Sequence, residues 1–141
     1  MNMSQYFQAG DLVLWNPSNR VAELFVRTSN AVADLVDRPT GIGPMQADEY
    51  DIDLDVFADF VDALVAQYLS SSHTILRSLL EGFTATALVL VDRAGRSVRS
   101  LQATATLDPR DVSVGAGGIR PLGDPARLHE LASTHAAAMP V

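Results

Sequence analysis

One apolar line dominates the chain. It steps from Phe57 through Val61, Leu64, Tyr68, Ser72, Ile75, Leu79, Phe83, Ala87 and Leu90 to Ala94. Those ten steps cover 37 residues, or about 3.7 per step, close to the roughly 3.6 of an α-helix. A flanking line of Phe60, Val65, Leu69, Leu76, Leu80 and Val91 widens it into a stripe suited to burial. The period predicts one continuous helix over about 54–95, roughly 63 Å long at ~1.5 Å per residue. A rival reading begins at Gly82. Glu81-Gly82 would cap a helix, the β-branched run from Thr84 to Val91 suits a strand, and 92–95 would turn into a returning strand ending near Leu107. The period persists across Gly82, which favours the helix.

Shorter patterns flank this stretch. Residues 1–10 read as a loose lead-in, and Leu12 to Trp15 as a short β-prone run ended by Asn16-Pro17. Ser18 or Asn19 can cap a helix over about 19–37. Its apolar positions Val21, Leu24, Phe25, Val32, Leu35 and Val36 keep helical spacing until Arg38-Pro39. The segment PTGIGPMQADEY reads as a loop joining this helix to the central one. Residues 97–123 read as extended or loop. Asp124 as N-cap and Pro125 at the first helical position then predict a last helix to about 138.

The expected fold is mainly α: an antiparallel helical hairpin with a long second helix, filling residues 1–96. A loop-rich C-terminal extension with a short helix follows over 97–141. The alternative is α+β with a hairpin at 84–107. A first helix of about 28 Å cannot cover a stripe of about 63 Å. The uncovered part therefore asks for a partner, either a second copy or a helical protein. Ile75, Leu76, Leu79, Leu80, Phe83, Leu90 and Val91 are the expected interface.

Composition narrows the chemistry. The chain has 141 residues, 48% of them hydrophobic, and a net charge of −7, so attraction to nucleic acid or an anionic membrane is not expected. All ten basic residues are arginine, which excludes a Schiff-base lysine and the lysine of a phosphate-binding P-loop. No cysteine is present, so disulfides, thiolate metal sites and cysteine nucleophiles are excluded. No secretory signal pattern is visible, and the uncharged run from Gly82 to Val91 is far shorter than the ~20 residues of a membrane span. A cytoplasmic location is the expectation.

Among candidate sites the aspartates are the sharpest. Counted from Asp51, residues Asp51, Asp53, Asp55, Asp59 and Asp62 fall on positions 1, 3, 5, 9 and 12 of a calcium-binding EF-hand loop. Val56 stands where that loop needs glycine, and Asp62 where it uses a bidentate glutamate. The favoured reading is a helix start. Asp51 or Asp53 caps it, and Asp55, Asp59 and Asp62 pair with Arg20 and Arg27 of the first helix. No metal or cofactor is expected. His129 and His135 are six apart where a zinc-protease helix needs four, which leaves two exposed histidines. Ser71, Ser72, His73 and Thr74 make a polar break in the stripe, suited to a buried hydrogen-bond layer or a pocket. Gly115-Ala116-Gly117-Gly118 leads to Ile119-Arg120-Pro121 and no helix, so it reads as a flexible loop. No catalytic constellation emerges, which favours a non-catalytic protein–protein interaction module. The alternative is a ligand-sensing α+β domain or small enzyme with a pocket near Trp15, Tyr68 and His73.

The segments SQYFQAGDLVLWNPSNRVAELF, GIGPMQADEYDID and SSHTILRSLLEGFTATALVLVDRAGR together resemble a family of small actinobacterial proteins of unknown function, over roughly residues 4–96. That resemblance implies no activity or site residue. The string ALVLVDRAGRSV also resembles part of a PAS- or GAF-type sensor domain, which implies the α+β alternative. In architecture alone the expected fold is similar to the helical-hairpin proteins of type VII secretion. Their W-x-G turn is absent, and so is their tyrosine export signal, since Gly10, Leu54 and Ser72 follow Tyr6, Tyr50 and Tyr68 at the fourth residue.

Overall fold

The computed structural model describes residues 3–141. The fold is α+β, not a mainly α hairpin. Two strands of its main sheet lie where the sequence suggested a lead-in and a loop, and the third is the expected β-prone run at Leu12–Trp15. Strands β1 (Tyr6–Ala9) and β2 (Leu12–Trp15) are antiparallel around Gly10, whose φ of +58° glycine adopts without strain. Strand β3 (Glu49–Asp51) pairs parallel with β1, giving the order β2-β1-β3. Helix α1 (Asn19–Val36) makes the crossover between β2 and β3 and is capped by Ser18. The strands of the main sheet are therefore at 6–15 and 49–51. The proposed hairpin at 84–107 is absent because helix continues to Arg93.

The long central helix is also corrected. It is two helices, α2 (Leu54–Ser70) and α3 (Thr74–Arg93), and the break falls at Ser71–His73. The polar cluster in the stripe is the break itself. There, His73 Nδ1 accepts the Leu76 N–H (3.3 Å), and Ser71 Oγ accepts the His73 N–H (3.0 Å). Arg77 donates to the Ser71 carbonyl (3.0 Å). Backbone groups orphaned by the break thus find partners, which makes it tolerable in a buried place. Gly82 is an exposed position inside α3 and ends nothing.

The two halves then fold back on each other. Phe60 of α2 meets Phe83 of α3 at 6.3 Å between ring centroids, and Arg96 just beyond α3 pairs with Asp55 at the start of α2 (2.7 Å). A stripe too long for one neighbour thereby covers much of itself. Phe57, Phe60, Val61, Leu64 and Val65 are fully buried on α2, and Leu80, Leu90 and Val91 are buried on α3.

An aromatic cluster ties sheet to helices. Phe7 stacks on its two sheet neighbours Trp15 (5.5 Å) and Tyr50 (4.8 Å), and packs edge-on against Phe25 of α1 (5.3 Å). Phe25 in turn stacks on Phe83 (4.9 Å). Trp15 is thus a core residue shared by sheet and helix.

The C-terminal part is packed onto this frame. Helix α4 (Pro125–Ala137) is capped by Asp124 and lies against α3, with Leu128 fully buried. Arg93 holds its far end by donating to the carbonyls of Leu14 (2.9 Å), Ala136 (3.2 Å) and Met139 (2.8 Å). The glycine segment forms a two-stranded ribbon and not a loose loop: β4 (Val114–Gly115) pairs with β5 (Gly118–Ile119).

Candidate functional site

The five aspartates of the calcium pattern are dispersed by the fold. Asp51 belongs to β3 and accepts from the Gly10 N–H (3.3 Å), while Asp53 caps α2 by accepting from the Val56 N–H (3.3 Å). Asp55 pairs with Arg96 (2.7 Å), Asp59 with Arg38 (3.5 Å), and Asp62 accepts the Ser100 N–H (2.9 Å). A loop that wraps a cation needs its oxygens turned inward; here three of them ride on the outside of a helix. The expected partners Arg20 and Arg27 are not the ones used. Both lie on the face of α1 opposite its buried Ala22, Phe25 and Ser29, and Arg27 pairs within the helix with Glu23 (2.6 Å).

The pocket suggested by Trp15, Tyr68 and His73 does not assemble from those three. Trp15 is in the aromatic cluster and His73 is the cap of α3. Tyr68 instead lines a cavity of about 370 Å³ with Thr74, Arg77, Ser78, Glu81 and Arg127. Its hydroxyl donates to Glu81 Oε2 (2.7 Å), and Arg127 of α4 holds Glu81 Oε1 through Nη2 (3.0 Å) and Nε (3.3 Å). Burial first, then the hydrogen bond to Glu81, pushes the Tyr68 hydroxyl up to about 12. The Arg127 hydrogen bond holds the Glu81 carboxyl below its ordinary value against the opposing effect of burial. A phenol held protonated is a poor base, and the carboxylate is already bound by an arginine. The cluster therefore reads as a clasp between α2, α3 and α4. Gly123 lies so close to the Tyr68 carbonyl and ring that no side chain fits there, which brings the start of α4 onto the clasp.

The C-terminal histidines have separate surroundings. The Thr86 hydroxyl lies 3.1 Å from the Gly82 carbonyl and 2.8 Å from His135 Nδ1, within hydrogen-bond reach of both. His129 is exposed. A wider, open cavity of about 640 Å³ lies between the end of α1, α2 and residues 103–110. On its wall Asp108 is held well below the carboxylate range by hydrogen bonds from the Arg110 side chain and backbone.

The residues expected at an interface divide in two. Leu80, Leu90 and Val91 are consumed by the chain's own core, and Leu76 and Phe83 are packed against it. Only Ile75 (61% exposed) and Leu79 (75%) remain at the surface. Leu24 of α1 is 66% exposed too, but it lies between Arg20 and Arg27 on the face turned away from the core. By length and composition α3 would also pass for a membrane span, with mean hydropathy 1.5, yet half of that window is buried inside the fold. Packing against α2 and α4 accounts for its apolar character.

No curated protein and no solved structure matches the chain. A family model described as a family of unknown function (DUF6086) matches residues 3–141, reaching well past the 4–96 expected from sequence and taking in the clasp, the Arg93 anchor and α4. With nearly its whole length matched, this chain belongs to the DUF6086 family of unknown function.

Proposed function

We propose that this protein is a non-catalytic interaction module that pairs with a second copy of itself at an apolar shoulder of α3 formed by Ile75 and Leu79. The observation that carries this reading is the exposure of Ile75 and Leu79, on the line of α3 that leads to Phe83 and its stack on Phe25. Ile75, Leu79 and Phe83 are spaced four apart, so they follow one line on the surface of α3. Apolar surface removed from water stabilises association by about 25 cal/mol per Å² before the costs of ordering. A two-fold arrangement would set the same patch against itself, as most soluble homodimers do. Folding α2 back on α3 reduces the roughly 63 Å stripe expected of a single helix to this exposed shoulder.

Sedimentation equilibrium at micromolar concentration tests the reading. The expected result is a dimer that Leu79→Glu, at an exposed position, converts to a monomer with an unchanged circular dichroism spectrum. A wild-type monomer would reject self-association and leave a helix of another protein as the occupant of the shoulder.

A further inference from the structure

We propose a second, independent site: a cavity for a small uncharged amphiphile, an apolar chain ending in a hydroxyl or amide. The cavity is enclosed by the second half of α3, the Arg99–Leu101 turn and α4. Its volume is about 370 Å³, at the small end of the roughly 300–1,000 Å³ typical of small-molecule sites. The floor is apolar. Leu88, Val89 and Val91 come from α3, Val98 from the following segment, and Ala132 and Ala136 from α4. The first four are buried residues of the core, so the shape of the floor is set by core packing.

The mouth selects the head group. Ser97, Gln102, His129 and Ser133 furnish hydroxyl, amide and imidazole groups there. The two arginines that line it are already engaged. Arg93 donates to three backbone carbonyls, and Arg96 pairs with Asp55. An anionic head would meet Asp92 and the negative ends of α3 and α4, both of which border the cavity. A cationic head would meet Arg93 and Arg96. Either ion would lose hydration and meet like charge at the same mouth, whereas a hydroxyl or amide finds both donors and acceptors without that repulsion. Because the walls come from α3 and α4 together, an occupant would bridge them and tighten the docking of α4.

Methyl NMR of the full chain, titrated separately with 1-octanol, octanoate and octylammonium, tests the proposal. The expected result is saturable shifts at the methyl groups of Leu88, Val89, Val98 and Ala132 with 1-octanol. Binding of the two ions should be weaker by at least about tenfold. Ala132→Leu, which fills the floor, should abolish the response. Should that variant not fold, Gln102→Trp at the exposed mouth should abolish it instead. The proposal is overturned by shifts that do not saturate or fall elsewhere, by equal or tighter binding of either ion, or by a response that survives the cavity-blocking variant.

Discussion

Gly82 and Ser72 show how a single side chain decides the course of the backbone. Both stand in the stretch expected to be one helix, and glycine is the worse helix former of the two. Yet the helix passes through Gly82 and stops at Ser71–His73. At Gly82 a helical backbone leaves no polar group unpaired, and the penalty is only the glycine's conformational freedom. At Ser72 the hydroxyl accepts the Ser113 N–H (2.8 Å), an offer from across the chain that a helical register would not need. A Cβ added at Gly82 would meet nothing within 4 Å. Gly82→Ala should therefore stabilise the protein by about 0.5–1 kcal/mol, read as a higher urea midpoint with an unchanged slope. A destabilised Gly82→Ala would mean that α3 is not helical at this position.

The elements are joined by a few polar anchors laid over an apolar core. Folding α2 against α3 buries the stripe, and the aromatic line Trp15, Phe7, Phe25, Phe83, Phe60 carries contact from sheet to α1 to both helices. Helix α4 offers less apolar surface, with Leu128 as its one buried residue. Its position depends on the Glu81–Arg127 pair at its start and on Arg93 at its end. Replacing Arg93 by methionine keeps much of the volume but removes a charged donor from three carbonyls, of which Ala136 keeps the Met139 N–H. Losing hydrogen bonds from a charged group should cost about 1.5–3 kcal/mol. Hydrogen exchange should place the loss first in α4 and its C-terminal neighbours. Uniform loss of protection across α2 and the sheet would show that the anchor serves the whole fold equally.

For the molecule as a whole, the clasp predicts an alkaline limit. The Tyr68 hydroxyl titrates near 10 when unfolded and at about 12 in the fold. A raised value favours the protonated native state, so this stabilisation is complete below pH ~10 and lost as pH rises to about 12. Tyr50, also pushed up by burial and then by Glu23, acts in the same direction. Glu81 works at the other end. Its lowered value adds stability above the ordinary carboxylate range, which falls away as pH drops through the folded value. Tyr68→Phe should flatten the loss between pH 10 and 12 in equilibrium unfolding while leaving the Tyr50 share. An unchanged alkaline slope would remove Tyr68 from the account. Self-association belongs here too, because burying Ile75 and Leu79 would make the melting temperature rise with protein concentration.

Local signals were legible wherever the physics is local. Ser18, Asp53 and Asp124 cap helices because a short oxygen side chain before an apolar-periodic run meets orphan N–H groups within three residues. The 3.6-residue period through Gly82 likewise carried α3 to Arg93. The sheet had a readable sign that went unused: Gly10-Asp11 between Tyr6-Phe7-Gln8-Ala9 and Leu12-Val13-Leu14-Trp15 is hairpin turn chemistry between two β-prone runs. The parallel pairing of β1 with β3 had no such sign, since Phe7 and Tyr50 meet across 42 residues of intervening chain. Nor could the period tell one helix of 63 Å from two folded together. A helical period records which residues face an apolar neighbour and is silent on whether that neighbour is another chain or the same helix returning. The aspartates obeyed the same limit. Their spacing suited a cation, but their partners Arg38, Arg96 and Ser100 arrive from elsewhere in the chain. Periodicity and capping act within a turn or two of helix. The break at Ser71–His73, the clasp and the cavity under α4 depend on segments tens of residues apart, and only packing brings those together.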